Sequence, residues 1–407
     1  MRVLFLSPVG TLGGAERVLI TAVAGIRRAD PSATVGVLAS GDGPLLAQAH
    51  ALGAEVVAVP VPGALAQLGD SQLRSGGKWA GRVALLGRAA LAAPAGAGYV
   101  AALRAAVTKF RPDVVHSNGI KTHLLSRFAV PRRVPVVWHL HDFYGLRPLA
   151  ARLLRYASGR VRAGVAISEA VAADTAKVLP GVPLRTVLNA VDLARFEPTG
   201  RSADLDALAG VAPAPAGTVR VGLVAAYARW KGHLAFLDAA QRLAREAPHL
   251  PVRWYIVGGP IYATAAQFSE PELRAAAAER GLADRVAFVP FQPDPSGVYR
   301  ALDVMVHAST LPEPFGLTIA EAMACGRAVV VSAAGGAAEL FTDGEDALGA
   351  APGDVPAIAG AVKRLAESAD LRSRLGGNAR RTAEAKFDSL RYGPQFLQIY
   401  REVLAPR

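Results

Sequence analysis

The 407-residue chain holds one cysteine, Cys325, so no disulfide can close within it. A lone thiol points to a reducing compartment, and just before Gly326 it is expected to be a small core residue. Long apolar runs are missing as well. No uncharged stretch of about 18 apolar residues occurs, which excludes a clear transmembrane helix. The opening run Met1–Pro8 is too short for a signal-peptide core and no small-residue cleavage site follows, so it is expected to be a buried strand. Aromatic residues make up only 6% of the chain, which gives little support to a nucleic-acid-binding protein.

Acidic residues are scarce in the first half. Residues 1–190 carry 22 Lys+Arg against 9 Asp+Glu, a net of +13, while the remainder carries 23 against 24, a net of −1. Between Ser71 and Pro112 there is no acid, yet Arg74, Lys78, Arg82, Arg88, Arg104, Lys109 and Arg111 occur. Such a bias suggests an anionic partner for the first half, with peripheral contact at a membrane face as the working hypothesis. An Arg- and Ala-rich composition with no particular partner explains it equally well. The expected location is the cytoplasm, or the inner face of its membrane.

What is present is ample apolar content: 52% hydrophobic residues and a mean hydropathy of +0.27. Short strand-like runs at 3–6, 34–38, 56–59, 114–116, 134–140, 165–167 and 186–188 alternate with helical patterns such as Glu16 to Arg28. A Pro-, Ala- and Gly-rich stretch follows. A second series then begins, at 219–224, 252–257, 286–289, 304–307 and 328–331. Alternation of this kind predicts α/β architecture with two doubly wound, Rossmann-like domains facing a cleft. The expected boundaries are 1–195, a linker over 196–217, 218–386, and a C-terminal helix in 387–407 packing back on the first domain. Ligands bind at the carboxyl ends of such strands.

Several motifs fall at those ends. Val9-Gly10-Thr11-Leu12-Gly13-Gly14-Ala15-Glu16 is a glycine-rich turn entering a helix, where an anion is favoured. His139 and His141 share one face of a strand; either could hydrogen-bond a sugar hydroxyl, and a structural pairing with Asp142 is the plainer alternative. His116, Asn118 and Lys121 close another strand. Arg229 and Lys231, with Gly232, open a helix and suit a diphosphate. Gly258-Gly259-Pro260 and Phe291-Gln292 end two more strands, the latter able to line a base pocket. No cluster with metal-ligand spacing supports His139-x-His141, and Asp204-Leu205-Asp206 reads as helix capping or surface.

The most informative segment is Glu313-Pro-Phe-Gly-Leu-Thr-Ile-Ala-Glu321. Glu313 belongs to a loop, and a helix is expected from Gly316 to Gly326. Glu321 is a carboxylate on a largely apolar helix and needs a hydrogen-bonding partner. Helix rise sets it roughly 7–8 Å from the helix start. A loop carboxylate, an anion-binding helix end and a second carboxylate could together hold a nucleotide sugar.

The run from Glu313 to Gly326, followed by Gly335-Gly336 and Glu339, resembles the retaining GT-B glycosyltransferases of glycosyl transferase family 4, often called group 1, over nearly the whole chain. The resemblance implies transfer of a sugar from a nucleotide-diphosphate sugar to a glycan or lipid-linked acceptor, with retention and without metal or cofactor. It implies that Glu321 binds the donor ribose, that Glu313 lies near the donor sugar, and that Phe315, Gly316, Leu317 and Thr318 line the donor. Lys231 then binds the diphosphate and Gly13 and Gly14 close on it, with Gly258 and Phe291 on the donor side. His141 matches the family's strand-end His-Asp motif and is preferred to His139. Glu16, His116, Asn118, Lys121 and His139 are left to the acceptor side. Where the family often has Gly-Arg after the first strand of the second domain, this chain has Ala225-Ala226, so the clamp role falls to Arg229. A nucleotide-sugar epimerase of the same architecture, or a non-catalytic donor-binding subunit, are the alternatives.

Overall fold

The computed structural model describes residues 1–63, 79–260 and 266–405, with the backbone alone described for 79–93. The chain divides into two compact units. The first takes Met1–Ala190 together with the segment from Ser389 on, and the second takes Val191–Asp388.

The first unit is a parallel seven-stranded sheet of β1 (Arg2–Ser7), β2 (Thr34–Ala39), β3 (Glu55–Ala58), β4 (Val114–Ser117), β5 (Val136–Leu140), β6 (Val161–Ala166) and β7 (Leu184–Thr186). Their order is β3-β2-β1-β4-β5-β6-β7. The reversal between β1 and β4 marks the topological switch point, where the glycine turn after β1 and the Asn118–Lys121 segment after β4 adjoin. The last helix, Tyr392–Leu404, packs on the helix Gly14–Ala29 and sets its buried Phe396 and Tyr400 against His116 of β4. A Cβ at Gly393 would overlap the Gly25 carbonyl, so glycine sets that close approach.

The second unit is a parallel six-stranded sheet of β8 (Val219–Val224), β9 (Val252–Gly258), β10 (Val286–Pro290), β11 (Val304–His307), β12 (Ala328–Ser332) and β13 (Leu348–Ala350), ordered β10-β9-β8-β11-β12-β13. Val221, Leu223, Ile256, Val306 and Val330 anchor its core. The stretch expected to be a linker is built into this unit instead. It folds into the helix Leu205–Ala209. Asp204 caps that helix at the Ala207 N–H, whereas Asp206 is buried. Asp206 accepts from Arg253 at 2.8 Å, Tyr255 at 2.7 Å and the Ala214 N–H at 2.9 Å. The surface reading of Asp206 is therefore wrong: Arg253 and Tyr255 reach it from β9, about 50 residues on in sequence.

Of the basic run 71–112, Arg74 and Lys78 lie outside the described residues, as do the side chains of Arg82 and Arg88. Arg104, Lys109 and Arg111 are exposed around the end of the helix Trp79–Phe110. Among the described residues no helix is long and apolar enough to cross a membrane.

Candidate active site

In the second unit the motif residues converge at the carboxyl ends of β8 and β11, which are neighbours in the sheet. The turn Arg229–Lys231 follows β8, and Gly232 closes it with φ +78°. A side chain at Gly232 would overlap the Ala308 carbonyl. The Thr310 N–H donates to the Trp230 carbonyl at 2.8 Å, so the turn is pinned to the loop that leaves β11. This pinning presents the Lys231 ammonium to Glu313, which it meets at 2.6 Å on Oε1.

Glu313 is buried. The same Oε1 accepts from the Ser309 hydroxyl at 2.6 Å and lies 3.7 Å from His307 Nε2. Burial by itself would raise this carboxyl, but the Lys231 ammonium and His307 more than offset it and hold Glu313 well below the usual carboxylate range. Glu313 is therefore an ionised, fixed acceptor. Its backbone is fixed too. The Glu313 N–H donates to the Ala334 carbonyl and the Gly336 N–H to the Glu313 carbonyl, which ties in the glycine turn after β12.

The helix after this loop runs Leu317–Ala324 from Gly316, whose φ is +104°. Ile319 and Ala320 N–H groups bond back to the Gly316 carbonyl. The start of the helix thus presents the Leu317 and Thr318 N–H groups, suited to an anion. Phe315 is buried against Phe387 and anchors the loop, so only its backbone can meet a ligand. Glu321 is half-buried and accepts from the Tyr299 hydroxyl at 2.7 Å. That is the partner its apolar helix requires.

Two donor-side expectations change. Arg229 is exposed, its guanidinium lies over the Phe268 ring and it pairs with Glu272 at 3.3 Å. The structure therefore does not bring it to Glu313 with Lys231. Gly258 is demanded by the protein itself, since a Cβ there would overlap the Ala225 carbonyl. Phe291 is 54% exposed beside Gly259 and leaves a ring face accessible.

In the first unit, Asn118 organises the switch point. Its Nδ2 donates to the Ala15 carbonyl at 3.1 Å, which orients the amide so that Oδ1 faces His141. His141 Nε2 lies 2.8 Å from that oxygen and must carry the proton. The neutral ring then keeps its lone pair on Nδ1. Burial pushes His141 down to about 3, so it is neutral at ordinary pH. Asp142 is salt-bridged to Arg147 at 2.6 Å.

Glu16 folds back on the turn, accepting from the Gly13 N–H at 3.1 Å, and burial lifts its carboxyl above the usual range. Gly14 faces open space. Lys121 is exposed near the start of the helix Ile120–Ala129.

His116 and His139 are wholly enclosed, which corrects their placement on the acceptor side. His116 Nδ1 is 2.7 Å from the Tyr400 hydroxyl of the C-terminal helix, and the two imidazoles meet edge to face. A side chain with no accessible surface cannot touch a substrate.

His307, Ser309 and Tyr299 were missed from sequence. His307 had one available signal, as the last residue of a strand in a chain whose other strand ends carry the motifs. Among the described residues no group of three or more acidic, His or Cys side chains could hold a metal ion.

Two doubly wound parallel units, with a Lys–Glu pair at strand ends and a glutamate on the following helix, define a GT-B glycosyltransferase fold. Residues 12–195 match the family described as Glycosyltransferase Family 4, and residues 218–368 the one described as Glycosyl transferases group 1. The chain belongs to this family. It is 35% identical over 227 residues to a D-inositol 3-phosphate glycosyltransferase of Saccharomonospora viridis, covering 54% of this chain and 51% of that protein. It is 32% identical over 223 residues to the lipopolysaccharide core biosynthesis mannosyltransferase LpcC of Rhizobium leguminosarum bv. viciae, covering 55% and 61%. The chain thus spans about half the length of the curated relatives it matches. HepE of Anabaena, solved in complex with UDP and glucose, superposes with a TM-score of 0.78 at 25% identity, covering 98% of this chain and 99% of that one.

Proposed function

We propose that this chain is a retaining glycosyltransferase that moves a sugar from a nucleotide-diphosphate sugar to an acceptor hydroxyl in glycan or glycolipid synthesis. The observation that carries the reading is the meeting of Lys231 and Ser309 on one oxygen of Glu313, with His307 3.7 Å away, beside a helix start and Glu321. The bond from the anomeric carbon to the diphosphate breaks, and a bond to the acceptor oxygen forms on the same face. The acceptor proton passes to the leaving phosphate. Charge building on that phosphate is met by Lys231 and by the Leu317 and Thr318 N–H groups. Glu313 accepts from donor sugar hydroxyls, Glu321 from the ribose, and Phe291 offers its ring to the base. In the first unit, His141 Nδ1 accepts from a sugar hydroxyl, the bare turn at Gly14 leaves room for an anion, and Lys121 serves the acceptor. No step requires a metal.

A UDP-sugar is the first donor to test, because the Anabaena protein was solved with UDP. Titration calorimetry against UDP- and GDP-sugars, followed by product analysis with and without an acceptor glycolipid, tests the reading. Lys231→Ala and Glu321→Ala should each abolish transfer, and full activity in either would defeat the assignment. Conversion of the donor without any acceptor would identify an epimerase instead.

A further inference from the structure

The helix Pro148–Ala157 buries Ala150, Ala151, Leu154 and Ala157 and turns Leu149, Leu153 and Tyr156 outward. The inward set follows helical spacing, so the outward apolar stripe is a second face that the fold does not use. Leu146, just ahead of the helix, is 71% exposed, and Tyr156 is 63% exposed. The neighbouring helix Ile120–Ala129 adds exposed Phe128. Arg127 lies over the Tyr156 ring at 4.3 Å, joining the two helices into one face.

The charge around this stripe is predominantly positive. From Val114 to Ser168 the chain carries nine Lys+Arg and a single acid, Asp142, which is paired with Arg147. Arg132, Arg133, Arg152 and Arg155 are exposed. The nearby Asp174 carboxylate is occupied by the Gly145 N–H.

Exposed leucines framed by arginine fit one partner chemistry: an anionic bilayer surface, with leucines at acyl-chain level, arginines at the phosphates and the tyrosine between them. A nucleic-acid backbone would use the arginines and leave the leucines unmatched. We propose that the face formed by Leu146, Leu149, Leu153, Tyr156 and Phe128 docks this protein on anionic membrane. It deepens the acceptor half of the proposed function, a lipid-linked acceptor, and rests on that reading only there.

Vesicle flotation tests it without any sugar donor, so failed flotation and failed transfer are separate outcomes. The full chain should float with vesicles of equal parts phosphatidylcholine and phosphatidylglycerol and stay behind with phosphatidylcholine alone. Leu149→Ser with Leu153→Ser should lower partitioning on the order of tenfold, and Arg152→Glu about fivefold or more. Both changes lie on exposed positions, so thermal unfolding and UDP binding should match the parent chain. Equal flotation with both vesicle types would overturn the proposal. So would undiminished flotation of the double leucine variant, or displacement of the protein from anionic vesicles by nucleic acid with the leucine change having no effect.

Discussion

At the scale of single residues the proposed donor site is an electrostatic balance around one buried carboxylate. Removing the Lys231 ammonium leaves Glu313 buried and ionised without its main counter-charge. Breaking such a pair from one side costs on the order of 3 kcal/mol. Lys231→Ala should therefore lower the melting temperature as well as abolish transfer, and adding Glu313→Gln should restore part of the stability but none of the activity. Equal melting temperatures for the parent and Lys231→Ala would show that the pair is worth nothing in the resting protein. Tyr299 acts one step further out. Tyr299→Phe keeps the ring and removes the hydroxyl that orients Glu321, so KM for the donor should rise roughly tenfold with kcat little changed, as for loss of a hydrogen bond to a charged group. A pure kcat effect would contradict ribose binding by Glu321. Glu313, Glu321 and Lys231 were legible in the sequence because each stands in a local pattern with a chemical meaning. Tyr299 was not, because it meets Glu321 across 22 residues through packing of two helices, and no periodicity announces such a contact.

Two glycines separate structural from functional need at the scale of elements. Gly232 has φ +78° and no room for a Cβ, so Gly232→Ala should cost 2 kcal/mol or more, roughly the strain of a disfavoured backbone plus a displaced loop. The displaced loop leads to Glu313, and Gly232 itself adjoins Lys231. Gly14 is the opposite case. It is the first residue of its helix and faces open space, so Gly14→Ala should leave the melting point unchanged or slightly raised. If Gly14 is kept bare for a ligand, transfer should nonetheless fall sharply. Unchanged kinetics in a well-folded Gly14→Ala would remove the turn from the donor site. The central strands were legible for one physical reason: parallel strands buried on both faces are short runs of Val, Ile and Leu. β13 escaped because Leu348-Gly349-Ala350 is too short and too small to stand out. The helix Leu205–Ala209 escaped because proline-rich flanks resemble a linker, whereas the contact that holds it is the buried Asp206 under β9.

Across the whole molecule, buried imidazoles are distributed unequally between the units. The first holds His116, His123, His139 and His141, all pushed down by burial and, for the first three, also by the neighbouring imidazoles, with His116 down to about 3. Neither ring nitrogen of His139 has a hydrogen-bond partner among the described residues. In the second unit His233 is pushed down, to about 4, by burial and the nearby Lys231 ammonium. An imidazole that stays neutral when folded but takes a proton near pH 6.5 when unfolded stabilises the fold fully above that pH. The contribution is lost as pH falls below about 6.5. For His116 alone the loss by pH 5 is about 2 kcal/mol. Acidification should therefore open the first unit before the second, and with it the C-terminal helix, whose Tyr400 hydroxyl is bound to His116. Urea unfolding at pH 7 and pH 5, read by pulse proteolysis with the fragments assigned to each unit, checks the order. His139→Leu replaces an unsatisfied ring with an apolar side chain, so it should be close to neutral at pH 7 and should shrink the acid-induced loss in the first unit only. Equal acid losses in both units, or a pH dependence unmoved by His139→Leu, would mean that the buried histidines do not govern the acid stability of this protein.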